Sequence, residues 1–322
     1  MMKTIVSVFV ACLLLSGAAF AGINYDEPAS LLIYPFFSSD VGEDTIISVT
    51  NVNRNMIYNQ NTDRLLGEVV AHFFYVDADD CDITNRKEYL TPGDLLTVLV
   101  SQHNPAMNKG FLLIIAEDPN FLVPIKWDGI QVVIPQVLEY TSGLIGDCIV
   151  ANGVLNFLWA IPAIGIKACG EANVGDPLDF LDSLAYGVEY EGLPTELFVS
   201  SFVEQGPKFF NAESYLVLLD PTVAGSTIDL LYLFYNNDEV EFSQTDSFSC
   251  WMMETLDDIF NGADNLQGVN AIVPTGWIAI QTREDRPVPL LGMIIQSLVN
   301  EDYSSARLLH HFGDTAYGEI DL

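Results

Sequence analysis

The chain has 322 residues, of which 44 are Asp or Glu and 12 are Lys or Arg, giving a formal net charge of −32. That balance argues against DNA, RNA and anionic membrane surfaces as partners, since each would be repelled over a Debye length of about 8 Å. Half of the residues are nonetheless hydrophobic. This excludes a disordered acidic polypeptide and requires the charge to coat a packed interior.

The N-terminus has the pattern of a signal peptide over residues 1–21. Lys3 is the basic start, Ile5 to Leu15 the apolar stretch, and Ala19-Phe-Ala21 the small-x-small site before Gly22. The apolar stretch is short for crossing about 30 Å of hydrocarbon. Cys12 lies inside it and does not follow it, which argues against a lipoprotein anchor. The expectation is an exported bacterial protein that is periplasmic, on the outer surface or extracellular.

A first unit is expected over residues 22–166. After a short lead-in, strands are predicted at Leu31–Phe37, Thr45–Thr50, Glu68–Val76, Leu95–Val100, Phe111–Ala116 and Ile130–Ile134. These runs of Val, Ile, Leu, Phe and Tyr are bounded by Asp, Asn, Gly and Pro. Leu90-Thr-Pro-Gly-Asp94 is a tight-turn signal. The uncharged segment Ile149–Ile166 approaches the length of a membrane helix. However, Asn152, Gly153, Asn156, Pro162 and Gly165 burden such a helix, and one or two buried strands closing the unit are expected. Residues 167–194, with Gly170, Gly175, Pro177, Gly187, Gly192 and Pro194 among acids, have linker composition. A short helix is expected around Pro177–Leu184, with Asp176 as its N-cap.

The second unit, residues 195–322, is predicted to form strands at Leu197–Val203, Tyr215–Leu219, Thr227–Tyr235, Glu239–Phe248, Gly276–Thr282 and Leu290–Val299. Asn236-Asn-Asp238 is a hairpin turn, Trp251–Phe260 a candidate helix and 261–270 a polar loop. Four blocks recur in the same order in the two units. Leu31–Phe36 answers Leu197–Phe202, Val70–Tyr75 answers Leu230–Tyr235, and Gly110–Asp118 answers Gly276–Asp285. The fourth pair is the apolar runs after Gly129 and Gly292. The fold expected is all-β: two tandem β-sandwich domains, Ig-like or jelly-roll-like, related by duplication, with short helices in the connections.

Few residues carry a chemical signature. Asp77, Asp79, Asp80, Asp82 and Glu88 are a candidate calcium set, because loop carboxylates can converge on a hard cation. An EF-hand reading fails where glycine is needed, since Asp82 stands there, and a solvated acidic hairpin loop is the better reading of the run. Of the cysteines beyond the leader, Cys148 with Cys169 is the favoured disulfide and Cys81 with Cys250 the weaker one, the second tying the two halves together. No CxxC, HExxH, GxSxG or phosphate-binding glycine loop occurs. His72 is expected on a sheet face, and the adjacent His310 and His311 on opposite faces. Trp127, Trp159, Trp251 and Trp277 sit in apolar contexts that favour core over an exposed sugar platform.

The opening Pro28–Pro35 with Asp44–Asn53, the Val70–Val76 strand, Leu90–Asp94, Tyr235–Asp238 and Cys250-Trp251 resemble exported bacterial β-rich proteins without an assigned activity. The resemblance implies export and β structure and carries no site residues. The function expected is non-enzymatic, with no cofactor beyond a possible calcium ion. It is a structural or adhesive cell-surface protein that self-associates or binds a surface partner, the alternative being a carbohydrate- or calcium-binding module acting through end loops.

Overall fold

The structure, a computed structural model, describes residues 27–127, 130–137, 143–153, 157–168, 184–186, 190–203, 212–236, 241–260, 275–283, 288–298, 303–316 and 318–320. In the first half the strands are β1 (Leu31–Ser38), β2 (Glu43–Asn51), β3 (Tyr58–Asn59), β4 (Arg64–Leu65), β5 (Val69–Asp77) and β6 (Ile83–Leu90). They continue with β7 (Leu95–Leu99), β8 (Lys109–Trp127), β9 (Ile130–Val137), β10 (Leu144–Asn152), β11 (Phe157–Pro162) and β12 (Ile164–Ile166). The second half begins at β13 (Leu184–Tyr186), β14 (Leu193–Val203), β15 (Ala212–Leu219), β16 (Thr227–Asn236), β17 (Glu241–Ser249) and β18 (Trp251–Thr255). It ends with β19 (Thr275–Thr282), β20 (Leu291–Leu298), β21 (Tyr303–Leu308), β22 (His310–Ala316) and β23 (Gly318–Ile320). Single helical turns follow β7, at Val100–His103, and β18, at Leu256–Ile259.

The strands pair antiparallel in four principal sheets. One has the order β12-β1-β8-β5-β6, with β9 added on β8, and a second runs β11-β10-β2-β7. The third is β17-β16-β19-β14-β22 and the fourth β18-β15-β20-β21. The strand order of the first half is thus repeated in the second. Three of the four sequence blocks occupy equivalent strands: β1 with β14, β5 with β16, and β8 with β19. The fourth pair does not correspond. The run after Gly129 is β9, an added partner of β8, whereas the run after Gly292 is β20, whose counterpart by position is β10.

The equivalence extends to a backbone constraint. The pairing of β1 with β8 slips between Tyr34 and Phe37, and that of β14 with β19 slips between Val199 and Phe202. Beside each irregularity stands a glycine. A Cβ on Gly110 would lie 1.9 Å from the Val76 carbonyl oxygen, and one on Gly276 would lie 2.1 Å from that of Tyr235. Neither approach tolerates a side chain.

Burial separates two kinds of strand. In β2 and β16 buried and less buried residues alternate, as in a sheet with one covered face. In β1 every residue is buried, as are Phe111–Glu117 in β8, Leu216–Leu219 in β15 and Leu291–Ile295 in β20. Successive side chains point to opposite faces, so these strands are covered on both sides. In β15, Leu216 and Leu218 join a core confined to the second half, together with Val199, Tyr232 and Phe234. Val217 and Leu219 join a larger core that holds Ile33, Phe111 and Val150 of the first half as well as Trp251 and Met293 of the second.

The expectation of two tandem β-sandwich domains is therefore corrected. The four small sheets are blades of one propeller-like body with a core shared across the halves. Each blade draws on strands from separate parts of its half of the chain; the first, for instance, takes β1, β5, β6, β8, β9 and β12. The physical reason is that two sandwiches would each leave an outward sheet face to water. Here the outward faces of β1, β8, β15 and β20 are too apolar for that and are packed away instead.

Other expectations resolve locally. Ile149–Ile166 contributes to three strands, β10, β11 and β12, and no helix among the described residues is long and apolar enough to cross a membrane. Trp251–Phe260 is a strand and then one helical turn, whose Thr255 side chain accepts from the Asp258 N–H at 3.0 Å. Within 167–194, Ala168 bridges to the buried Tyr190, and β13 pairs with β23. The signal peptide and most of the helix expected at Pro177–Leu184 lie outside the described residues.

The halves meet at an aromatic junction. The indole N–H of Trp251 donates to the Pro35 carbonyl at 3.0 Å. The Phe36 ring lies 5.3 Å from Trp159 and 6.2 Å from Trp251. Trp251→Phe, which keeps an aromatic ring but removes the donor and part of the buried indole, should cost at least about 1–3 kcal/mol because a buried carbonyl loses its partner and the core loses volume. Urea denaturation followed by fluorescence and by circular dichroism should show that loss in one shared transition. Gly110→Ala and Gly276→Ala should each destabilise by about 3 kcal/mol or more, at the upper end for single substitutions, in the same measurement.

Candidate functional site

The acidic run Asp77–Asp82 forms the turn between β5 and β6. The Asp77 N–H donates to the Asp82 carbonyl at 2.9 Å. Within the turn, Asp77 Oδ1 accepts the Asp79 N–H at 2.9 Å and Asp80 Oδ1 accepts the Asp82 N–H at 3.1 Å. Two carboxylates are thus engaged in shaping the turn. Glu88 is not brought to it. It lies opposite Ala71, six residues farther along β6 and about 20 Å away at strand spacing, where it meets His103. Among the described residues no group of three His, Cys, Asp or Glu side chains is placed to hold a metal ion.

His72 lies on a sheet face. Its Nδ1 is 2.7 Å from Glu117 Oε1 and its Nε2 is 3.3 Å from Asn85 Oδ1. Lys87 donates to both oxygens of Glu117 at 2.7 and 2.8 Å. Glu117 is only 3 % exposed. Burial pushes its carboxyl up, but the bonds from His72 and Lys87 outweigh that and hold it below the ordinary value. The cluster is a clamp on a buried charge. The second nitrogen of His72 goes to an amide oxygen, where a catalytic base would need a hydroxyl or thiol.

His103 is buried beside Phe73, with the Tyr75 hydroxyl 2.8 Å from Nδ1 and Glu88 Oε1 3.3 Å from Nε2. An ionised Glu88 can only accept, so the proton of the neutral ring sits on Nε2 and the Tyr75 hydroxyl donates to Nδ1. Burial lowers the pKa of the ring, and the neighbouring Glu88 opposes that only in part. His310 and His311 follow one another on β22, the first exposed and the second half-buried.

Of the cysteines, Cys148 is buried on β10, where burial pushes its thiol up to about 12; its favoured partner, Cys169, lies outside the described residues. Cys81 and Cys250 are brought together, with their sulfurs within hydrogen-bonding reach.

The feature that composition and motif spacing do not reveal is on the outer face of the β14 sheet. Tyr235 of β16 and Trp277 of β19 are directly paired, and Phe198 of β14 is paired with Ala279 two residues on. Directly opposed residues of an antiparallel pair share a face. Tyr235 and Trp277 stack with ring centres 4.1 Å apart at 11°, and Trp277 and Phe198 follow at 5.9 Å and 28°. The row is flanked by hydrogen-bonding groups. The Tyr235 hydroxyl donates to Glu241 Oε2 at 2.5 Å, and farther along the face Gln281 donates to Glu196 at 2.6 Å.

Trp159 and Trp251 are core residues as expected, and the side chain of Trp127 lies outside the described residues. Trp277 departs from expectation: it is 37 % exposed. Its flanks gave the signal, since Ile278 and Ile280 point inward and the period of two puts Trp277 outward.

No protein-family model matches the chain, and no curated protein matches it in sequence. A solved structure of a lectin from Pleurotus ostreatus in complex with GalNAc aligns over 91 % of this chain and 79 % of that one, at 10 % identity and a TM-score of 0.19, too low to indicate a shared fold.

The histidine and glutamate environments fix the direction of acid sensitivity. Unfolded, His103 titrates near 6.5; folded, it resists protonation, so stability falls as the pH drops through that value. Glu117 is depressed in the folded state, so its contribution, present above about 4.5, is lost at lower pH still. Urea midpoints should fall between pH 7.5 and pH 5.5, and His103→Asn should flatten that slope even though it lowers the baseline.

Proposed function

We propose that the chain is an exported, non-enzymatic carbohydrate-binding module that takes neutral sugars on the Phe198–Trp277–Tyr235 face. The observation that carries this reading is the placement of that row. Its topological equivalents in the first half, Ile33, Val76 and Phe111, are all fully buried, whereas here the same positions are aromatic and face outward. An aromatic row in which Trp277 is exposed and Phe198 and Tyr235 are half-buried, next to acceptors and an amide, suits a ring that presents C–H groups on one side and hydroxyls at its rim. The charge of −32 selects against sulfated and uronic-acid sugars. Covering the exposed Trp277 ring with a ligand removes apolar surface from water and is favourable.

A second reading, adhesion through a sheet surface, is favoured by one observation. The outer face of the β2 sheet exposes Leu95, Leu99, Ile145 and Leu158, four large aliphatic residues on a single layer. Such a face matches the structural or adhesive role expected from the sequence.

Isothermal titration against neutral, acidic and sulfated oligosaccharides, with and without Ca²⁺, separates these readings. The expected result is binding of a neutral sugar, with Trp277→Ala weakening it at least tenfold, as for the loss of one stacking surface. Circular dichroism should be unchanged, since Trp277 stands outside both cores. Binding that survives Trp277→Ala, or silence across the neutral panel, overturns the carbohydrate reading. Concentration-dependent light scattering abolished by Leu158→Glu would then favour adhesion.

A further inference from the structure

Cys81 and Cys250 lie in different halves of the chain, yet their sulfurs are within hydrogen-bonding reach of each other. Cys81 ends the β5–β6 turn and is half-buried; Cys250 joins β17 to β18 and is fully buried. Both have left-handed backbones, with φ of 62° and 67°, and they account for two of the four non-glycine residues with positive φ among those described. That conformation is uncommon for side chains of this kind and persists only where the surroundings impose it. Here hydrogen bonds pin each backbone. The Asp77 N–H to the Asp82 carbonyl closes one turn at 2.9 Å, and the Asp220 N–H to the Cys250 carbonyl fixes the other at 2.8 Å. Cys250 belongs to the core shared between the halves, and Cys81 packs against that core.

We propose that Cys81 and Cys250 form a disulfide that staples the two halves together once the chain is in an oxidising compartment. The oxidant is a disulfide, whether of a small thiol or of a thiol–disulfide oxidoreductase. Cys81, the more accessible thiol, loses its proton and attacks one sulfur of that disulfide, giving a mixed disulfide and releasing the first thiol. Cys250 then loses its proton and attacks the Cys81 sulfur, closing the intramolecular bond and releasing the second thiol. One disulfide is reduced to two thiols while two cysteine thiols are oxidised to one disulfide, so electrons and protons balance. Burial chiefly holds both sulfurs toward the thiol form; their mutual hydrogen bond lowers Cys81 and raises Cys250, and the carboxylates of Asp220 and Asp77 add smaller pushes toward the thiol. Closure is therefore slow without a catalyst. Cys148, sealed in its strand, takes no part.

The staple closes a loop longer than a hundred residues, the regime in which a cross-link removes most freedom from the unfolded chain. The test uses the full chain exported to an oxidising compartment, trapped with N-ethylmaleimide and mapped by non-reducing mass spectrometry. The expected result is a linked Cys81–Cys250 peptide. Reduction should lower the wild-type Tm by about 5–10 °C. That reductant-dependent drop should vanish in Cys81→Ser, chosen because it lies in an accessible turn, and persist in Cys148→Ser. Full alkylation of both cysteines without reductant, or a wild-type Tm indifferent to reductant, overturns the proposal. Neither outcome depends on whether the aromatic face binds sugar.

Discussion

The body is held as one piece by the contact between the halves, where the Trp251 indole donates across the chain to the Pro35 carbonyl amid the rings of Phe36 and Trp159. An indole N–H in an apolar interior must find an acceptor, because leaving it bare costs more than the bond itself contributes. Pro35 has no N–H to pair with a neighbouring strand, but its carbonyl is free to accept. The contact sits where β1 has no β12 partner, since β12 pairs only with Leu31, Leu32 and Ile33. The second half thus closes over a strand that the first half leaves partly uncovered.

That constraint explains which parts of the fold could be read from sequence. The strands themselves were legible, because Val, Ile, Leu, Phe and Tyr runs punctuated by Asp, Asn, Gly and Pro have few alternatives. The number of layers was legible too, in the unbroken apolar runs. Leu31-Leu-Ile-Tyr-Pro-Phe-Phe37 and Phe111-Leu-Leu-Ile-Ile-Ala116 are unbroken apolar runs, unlike the alternation in Thr45-Ile-Ile-Ser-Val-Thr50. An unbroken run means cover on both faces, and a free-standing sandwich covers only one. The fourth matched block failed for a related reason. A glycine followed by aliphatic residues describes almost any strand, so β9 and β20 looked alike although their places differ. Gly110 and Gly276 matched for a cause, since each lies against a carbonyl that admits no Cβ.

The candidate site was less legible. Trp277 could be placed outward from the alternation with Ile278 and Ile280, but Tyr235 sits in Leu230-Leu-Tyr-Leu-Phe-Tyr235, where both faces are apolar and the period says nothing. The pairing of Cys81 with Cys250 depends on how the halves dock, which no local pattern encodes. The acidic run drew attention through its density, whereas the structure gives two of its carboxylates to shaping the turn and leaves Glu88 far along the strand.

The two halves follow one plan, yet equivalent positions meet opposite fates. Ile33, Val76 and Phe111 enter the shared core, because the face they occupy is packed away within the body. Phe198, Tyr235 and Trp277 occupy the corresponding face of the β14 sheet, which remains at the surface. A face freed from packing usually becomes polar, since water rewards polar side chains and nothing opposes the exchange. On this sheet part of the change has occurred: Glu196, Gln281 and Glu241 are polar. The three aromatic rings are the exception, ranged side by side across three adjacent strands. In a chain with so many carboxylates to place at its surface, this aromatic row is the feature on which the proposed carbohydrate binding rests.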